Sequence, residues 1–258
     1  MKHIEKRFFN EFKMTDEVAA VVEEAGKENI GKDWRLEDFG DNFVPHIYAS
    51  DNTFYKAFLL EVEGERLIVP EPDPILIYFD CGYANYKKLE EAKQSLIPKL
   101  IASSKGQDAP PINEMFSFFS MVSAFAIYLC TAIEATMNRA IPANYTYTRP
   151  GKQRVYTKEE IERFFRAEEK LNDVLKQITN KSFEDTYPDD FKLIKELEGF
   201  RNDIVHTKEI AVGTEPVSHN FTRAFRLEYE NTIEAVKRFC NFYLGDNFIV
   251  DCKCGRDI

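Results

Sequence analysis

The spacing of apolar and polar residues predicts strands in the first third of the chain and helices on either side of them. Apolar runs over 54–62 and 66–69 flank a short Gly-containing turn, which is the pattern of a β-hairpin. A further short run, 75–79, predicts another strand. Apolar residues at helical spacing predict helices over 7–26 and 85–103, so this part of the chain has a mixed pattern.

A segment rich in Ser, Gly and Pro, 103–111, predicts a linker. A domain boundary at this linker gives a small mixed α/β region of unknown role over 1–110 and a second domain over 111–258. The predicted fold class is therefore α+β, with the mixed region preceding an all-α domain.

Four long segments with helical spacing follow the linker. The first, about 113–141, is apolar nearly all round, a pattern of helices that are covered by other helices or that span a membrane. Interrupting Ser and Thr residues and a mean hydropathy of −0.41 for the chain favour the covered helix, and no membrane partner is expected. The other three extend over about 158–179, 189–208 and 220–244, and four consecutive helices predict a helical bundle.

The third of these segments carries Arg201 and Asn202, and then His206 near its end. Histidine has the side-chain pKa nearest neutrality, and arginine is a permanent cation that binds phosphate oxygens in pairs. At about 100° per residue, Arg201 lies at the edge of the apolar stripe and His206 lies on the opposite side of the helix. The pattern suits acid–base chemistry on a phosphodiester. The alternative is that Arg201, Asn202 and His206 are ordinary surface residues without a shared function.

Helical geometry also predicts how these three side chains cooperate. Asn202 and His206 are four residues apart and share a face, so Asn202 is predicted to orient the imidazole by a hydrogen bond. Arg201 and His206 are about 140° apart on an ideal helix, so one helix brings them together poorly. Two copies of the helix across a two-fold axis would bring them together, which predicts a homodimer.

Charge limits the classes of partner. The formal net charge is −10, which argues against a generally basic nucleic-acid-binding protein. Within this background four cations, with no acid among them, predict either a solvated loop or a local patch that binds the phosphates of a substrate. These four are Arg149, Lys152, Arg154 and Lys158.

Cysteine usage and motifs predict neither a cofactor nor a metal. The five cysteines are scattered, and the first residues lack the pattern of a signal peptide, which predicts a cytoplasmic protein with free thiols. The pair Cys252 and Cys254 lacks a second pair of ligands that would complete a zinc site. The sequence contains no phosphate-binding loop, dinucleotide fingerprint, GxSxG or HExxH motif.

Several other polar residues have roles that the sequence leaves open. Glu134 and Asn138 are four residues apart on the apolar helix, where they need partners, either in a buried hydrogen bond or in the lining of a cleft. Glu198 is interpreted as a member of a local ion pair or as an acid of the site. His219 is predicted to lie in the N-terminal turn of the last helix.

The order Arg201-Asn202-x-x-x-His206, late in the third helix of a C-terminal four-helix bundle, resembles the signature of the HEPN superfamily. The segment 132–139, Ala-Ile-Glu-Ala-Thr-Met-Asn-Arg, is similar in style to the first helix of such bundles. The resemblance covers about 113–245 and does not extend to residues 1–110.

This resemblance implies a homodimer whose two Arg–His motifs share a cleft. It implies a metal-independent endoribonuclease of toxin–antitoxin, abortive-infection or antiviral systems, with RNA as substrate and an antitoxin or regulatory protein as a partner. Arg201 and His206 would be catalytic, and Asn202 would support them. The acidic balance favours an alternative, a non-catalytic HEPN-like module that dimerises or binds RNA or protein. A third hypothesis is a regulatory protein whose N-terminal region binds a ligand.

Overall fold

The computed structural model describes residues 53–206 and 215–252 continuously, together with residues 4, 9, 11–13, 16, 20, 24 and 45–48. Its contacts divide the chain into two compact units, Lys6–Asp73 and a helical unit formed by Pro74–Ile258 with Met1–Glu5. The chain thus has the predicted α+β class, with small antiparallel sheets and a helical C-terminal region. The division follows Asp73, however, and does not fall at the predicted linker 103–111.

The described part of the first unit is an antiparallel sheet built around one long strand. β1 and β2 pair with the first residues of β3 on its two sides, and β4 pairs with the rest of β3. The four strands are β1 (Glu11–Lys13), β2 (His46–Tyr48), β3 (Thr53–Val62) and β4 (Glu65–Pro70).

The hairpin predicted over 54–69 is confirmed by β3 and β4. Glu63 and Gly64 form its turn with φ of 53° and 84°, the left-handed pair that a two-residue hairpin turn requires. The helix predicted over 7–26 is wrong at 11–13, where the chain forms β1. Residues 16, 20 and 24 of that predicted helix are helical, residue 9 forms a β-bridge, and its other residues lie outside the described residues.

The helical unit begins with α1 (Pro74–Ser104), so the strand predicted over 75–79 is wrong. Ile75, Leu76 and Phe79 are all buried, and their spacing places them on one face of a helix. A run of five apolar residues fits a short strand and a buried helical turn equally well, which explains the error.

The predicted linker is the connection between two packed helices, α1 and α2 (Ile112–Ala140). Gly82 of α1 lies so close to α2 that an added Cβ would sit 2.6 Å from a Leu129 side-chain atom. An ion pair of 2.9 Å between Lys99 and Glu114 joins the two helices near the connection. A Ser-, Gly- and Pro-rich segment therefore marks an interhelical turn here, and not a division between units.

Helix α2 lies at the centre of the helical unit, as its apolar pattern predicts. Ten of its residues are buried, among them Phe118, Phe125 and Leu129. Among the described residues it is also the one helix long and apolar enough to cross a membrane, a criterion that core helices of soluble proteins meet as well.

The rest of the unit is more broken than the sequence predicts. The segment predicted as one helix over 158–179 is divided at Phe165 and Arg166, and the segment over 220–244 is divided at Leu227 and Glu228. The elements are β5 (Thr146–Thr148), β6 (Val155–Thr157), α3 (Lys158–Phe164), α4 (Ala167–Glu169), a π-helical segment (Lys170–Leu175), α5 (Lys176–Thr179), α6 (Phe183–Thr186), α7 (Pro188–Val205), α8 (Glu215–Arg226) and α9 (Tyr229–Leu244).

The break at Phe165 has a tertiary cause. Its backbone is extended, with φ −93° and ψ 138°, and its ring lies 5.6 Å from the Tyr147 ring and 5.0 Å from the Tyr156 ring. The hairpin of β5 and β6 supplies both tyrosines, so burial of Phe165 against this hairpin ends α3.

Candidate functional site: a cleft in the helical unit

A cleft of about 860 Å³ opens among α2, the start of α4, the π-helical segment, α7 and α8. The formal charges of its lining cancel, because four side chains are cations and four are carboxylates. The cations are Arg166, Lys170, Lys195 and Arg201, and the carboxylates are Glu134, Glu168, Glu198 and Asp203. Two histidines, His206 and His219, and the amides of Asn202 and Asn220 complete the polar lining.

All three residues of the Arg-Asn-His motif line this cleft. Arg201 donates a hydrogen bond from a guanidinium nitrogen to Oδ1 of Asn202 at 3.0 Å. The contact of Asn202 with His206 runs through the backbone, where the His206 N–H donates to the Asn202 carbonyl at 2.9 Å. Asn202 thus presents its side-chain oxygen to Arg201, in place of the imidazole contact that the spacing predicts.

One protomer brings Arg201 and His206 to the same cleft, although an ideal helix would point them about 140° apart. A cleft of about 860 Å³ is large enough to be lined by both, and His206 is the C-cap residue of α7, with φ −107° and ψ 51°. The homodimer stays a prediction, but one cleft can be lined by these two residues without it.

A buried lysine in the π-helical segment forms part of the cleft wall, and the sequence pattern did not single it out. Lys170 Nζ donates to Asn138 Oδ1 at 2.8 Å and to the Glu162 carbonyl at 2.9 Å, and it lies 3.9 Å from a Glu134 carboxylate oxygen. Burial lowers the pKa of Lys170, while Glu134 and Glu162 partly offset this effect. π-helical turns occur often at functional sites.

These contacts decide the open roles of two residues on α2. Asn138 accepts a hydrogen bond from a side chain that is almost fully buried, as the structural alternative predicts. Glu134 lines the cleft, as the other alternative predicts. The need of this polar pair for a partner was thus a usable signal, but the sequence did not show that the partner is Lys170.

Lys195 connects two carboxylates of the lining. Its Nζ lies 2.8 Å from a Glu168 oxygen and 2.9 Å from a Glu198 oxygen. Burial acts to lower the pKa of Lys195, but its hydrogen bonds to Glu168 and Glu198 outweigh burial and raise it. The hydrogen bond from Lys195 holds the pKa of Glu168 below its ordinary value. Glu198 thus forms the predicted local ion pair, with Lys195 as its partner.

The cleft also contains the side chain of Cys130. Burial raises the pKa of this thiol to about 12, with nearby Glu198 and Glu134 adding to the effect and Arg201 opposing it. At neutral pH the thiol therefore stays protonated, and a protonated thiol is a poor nucleophile. The position of Cys130 is that of a packed lining residue.

Arg201 and Arg166 differ from the other two cations of the lining, Lys170 and Lys195, which lie beside carboxylates. The described side-chain hydrogen bond of Arg201 goes to a neutral amide. Arg166 is exposed at the start of α4, and within the described part of the chain it forms no close ion pair. Arg201 and Arg166 are therefore the guanidinium groups that an anionic ligand in the cleft would meet.

The predicted phosphate-binding stretch 149–158 does not line the cleft. Arg149 donates to a Glu169 carboxylate oxygen at 2.9 Å, and its guanidinium lies 4.4 Å from the centre of the Phe165 ring. Since Phe165 is a lining residue, Arg149 lies near the rim, but its charge is paired.

The other three cations of that stretch have different surroundings. Arg154 forms an ion pair of 2.8 Å with Glu160, which also completes a capping box with Thr157 at the start of α3. Lys158 lies 3.5 Å from a Glu162 oxygen. Lys152 is exposed in the connection between β5 and β6. These contacts attach the hairpin to α3 and α4, and they leave Lys152 as the member of the four without a described ion pair.

Helix α8 forms the remaining wall, and aromatic packing fixes its position. Phe221 stacks on Phe119 of α2 with ring centres 4.5 Å apart, and Phe225 stacks on Phe118 at 4.6 Å. His219 is exposed on this helix and lines the cleft. The sequence predicts it in the N-terminal turn of a helix over 220–244, but it lies in the second turn of the separate helix α8. Its place in the cleft of the Arg-Asn-His motif was also missed, because no spacing relates it to that motif.

Among the described residues, no group of three or more His, Cys, Asp or Glu side chains is placed to hold a metal ion. Comparison of the chain with protein-family models, with curated proteins and with solved structures finds no match. The function has to be argued from the chemistry of the cleft.

Proposed function

We propose that the cleft is the active site of a metal-independent endoribonuclease of the HEPN type. The observation that supports this most is the presence of Arg201, Asn202 and His206 in one cleft, where Arg201 is not neutralised by a described carboxylate contact. An exposed imidazole can move a proton near neutral pH, and a guanidinium can bind two oxygens of one phosphate.

In this proposal His206 acts as general base on a ribose 2′-hydroxyl. The 2′-oxygen attacks the adjacent phosphorus, the bond from phosphorus to the 5′-oxygen breaks, and the leaving 5′-oxygen takes a proton from an acid of the cleft or from water. Arg201 stabilises the negative charge that builds up on the phosphoryl oxygens in the transition state. The products are a 2′,3′-cyclic phosphate and a 5′-hydroxyl, and general base catalysis of such a step contributes about a hundredfold or more.

The charge of the lining suits one phosphodiester better than a long tract of RNA. Glu134 lies beside Lys170, and Glu168 and Glu198 lie beside Lys195. Arg201 and Arg166 are left to attract an anion. A chain with a net charge of −10 gains little from long-range attraction to RNA, so we expect weak binding outside the cleft.

A non-catalytic binding module is the second candidate. The observation that favours it is the equal number of carboxylates and cations in the lining, which makes the cleft less attractive to RNA than a basic groove. In that case the same cleft would bind a small polar ligand or a peptide, and no RNA would be cleaved.

A homodimer, with an antitoxin or regulatory protein as a further partner, belongs to the same proposal. Large apolar side chains are exposed near the connection of α1 and α2, where an interface could cover them. These are Ile97, Ile101, Ile112 and Phe116. Light scattering at micromolar concentration tests the assembly, and a monomeric mass would contradict it.

The test of the function compares wild type with Arg201→Ala and His206→Ala on single-stranded and structured RNA in the presence of EDTA. Arg66→Ala, an exposed arginine of β4 in the other unit, is the matched control. Loss of cleavage in the two cleft variants alone, with cyclic phosphate on the wild-type product, supports the proposal. Equal cleavage by all four proteins, or no cleavage of any RNA, contradicts it.

A further inference from the structure

We infer that His219 is the general acid of the cleft, the partner of His206 in a two-histidine mechanism within one protomer. The inference rests on the proposed function and adds a catalytic residue to it. His206 and His219 are both exposed, and both line the same cleft. They come from different walls, one from the end of α7 and the other from α8.

The wall that carries His219 is fixed with respect to the motif. One turn after His219, Arg223 forms an ion pair with Asp203, which lies between Asn202 and His206 in the chain. Arg223 also donates to the Glu196 carbonyl of α7 at 3.2 Å. Because α8 is held on α7 in this way and on α2 by its stacked phenylalanines, the two helix segments that carry His206 and His219 are fixed relative to each other.

The charged side chains around the two imidazoles are mostly paired with one another. The carboxylates that line the cleft each have a cation beside them: Glu134 has Lys170, Glu168 and Glu198 have Lys195, and Asp203 has Arg223. Arg166 and Arg201 are the other charged groups of the lining. The described ion pairs of these carboxylates are thus with Lys or Arg side chains, and not with either histidine.

Cleavage of a phosphodiester needs two proton transfers, and two histidines can make them in one step. Neutral His206 takes the proton of the 2′-hydroxyl as the 2′-oxygen bonds to phosphorus. Protonated His219 gives its proton to the 5′-oxygen as the bond from phosphorus to that oxygen breaks. The histidines end in exchanged protonation states, and exchange of one proton each with water restores them.

Two forms of substrate separate this role from a merely structural one. In an ordinary RNA linkage the leaving 5′-oxygen needs a proton, whereas in a linkage with a bridging 5′-sulfur the leaving thiolate does not. His219→Ala is expected to cleave the ordinary linkage about a hundredfold more slowly than wild type, and to approach the wild-type rate on the sulfur linkage. His206→Ala is expected to stay slow on both substrates, because the 2′-hydroxyl still needs a base.

The pH dependence gives a second readout. Wild type should show a bell-shaped rate profile, with the acidic limb from His206 and the alkaline limb from His219. His219→Ala should lose the alkaline limb alone. Thr222→Ala is the matched control, since Thr222 is exposed on the same helix and does not line the cleft.

Each outcome decides between the two proposals. Wild-type rates for His219→Ala, with cleavage still dependent on Arg201 and His206, would overturn the role of His219 and leave the proposed function standing. Slow cleavage of both linkages by His219→Ala would also overturn the role as general acid. If wild type cleaves neither linkage, both the proposed function and this inference are wrong. Circular dichroism of each variant checks that it is folded.

Discussion

Arg223 of α8 forms an ion pair with Asp203 of α7. Asp203 precedes His206 by three residues in the chain. Its other contacts are with the Glu196 carbonyl and the ring of Phe200, whose centre lies 5.6 Å from the guanidinium carbon. Gly199 leaves the room for it, since an added Cβ would sit 3.2 Å from an Arg223 nitrogen. One side chain therefore joins the helix of the Arg-Asn-His motif to the helix of His219.

Replacing Arg223 by Ala is predicted to slow cleavage about tenfold to a hundredfold, because misplaced catalytic groups lose rate steeply. The stability cost should be small, about 0.5–1 kcal/mol, since the ion pair is partly exposed. Steady-state cleavage rates and thermal unfolding measure the two effects. Arg226→Ala, on the exposed side of the same helix, is the control. A large loss of stability, or rates equal to those of the control, would contradict the positioning role.

Replacing Arg166 by Ala is predicted to weaken RNA binding and to lower the slope of log affinity against log salt by about one phosphate contact. The reason is that Arg166 is an exposed guanidinium of the cleft without a close described carboxylate partner. The measurement is a fluorescence binding titration at several salt concentrations. Lys152→Ala, outside the cleft, is the control, and an equal effect from it would return the binding site to the 149–158 stretch.

Replacing Lys170 by Met is predicted to destabilise the protein by about 2 kcal/mol at neutral pH. The Asn138 side chain and the Glu162 carbonyl lose their donor, and a buried acceptor left unpaired costs about 1–3 kcal/mol. Urea unfolding measures the free energy, with Lys105→Met in the exposed interhelical turn as the control. A change no larger than that of the control would show that Lys170 is dispensable for folding.

The same residue predicts a pH dependence of stability. The pKa of Lys170 is lowered by burial, so between that pKa and the ordinary value of 10.5 the unfolded chain binds more protons than the folded chain. The free energy of unfolding contributed by Lys170 should therefore rise with pH across this window, and be lost as pH falls through it. Urea titrations of wild type and Lys170→Met at a series of pH values up to 10.5 test this, and parallel curves would contradict it.

Replacing Cys130 by Ala is predicted to leave cleavage within about threefold of wild type. Its thiol stays protonated at neutral pH because burial raises its pKa to about 12. Iodoacetamide at pH 8, followed by mass spectrometry, should modify Cys130 only after unfolding, since the thiolate is the reactive form. Rapid labelling in the folded protein, or a large loss of activity, would give this residue a chemical role.

The parts of the fold that sequence predicts are those fixed by local patterns. The all-round apolar pattern of α2 indicates a central helix, and the turn at Glu63 and Gly64 indicates the hairpin. The break at Phe165 carries no local signal, because it depends on the tyrosines of a hairpin that was not predicted. Propensity and spacing give way there to tertiary packing.

The residues of the candidate site also divide into those that a local sequence pattern indicates and those that it does not. Arg201, Asn202 and His206 could be found as a motif because they are neighbours in the chain. His219 and Lys170 lie elsewhere in the sequence and reach the cleft only through the packing of α8 and the π-helical segment. The ideal helical angle places Arg201 and His206 on different sides of α7, and it did not show that one cleft extends to both.

The π-helical segment 170–175 makes this wall of the cleft sensitive to chain length. A π-helical turn closes over one residue more than an α-helical turn, so the segment behaves as a one-residue insertion in a helix that runs from 167 to 179. Because the π-helical turn absorbs the extra residue, deleting one residue within it would restore α-helical winding and leave the turns on either side close to their present register. A one-residue deletion that leaves the apolar composition almost unchanged would thus remove the bulged backbone that carries Lys170 while Arg166 and Glu168 stay on the same side of the helix, an effect that point substitutions there cannot reproduce.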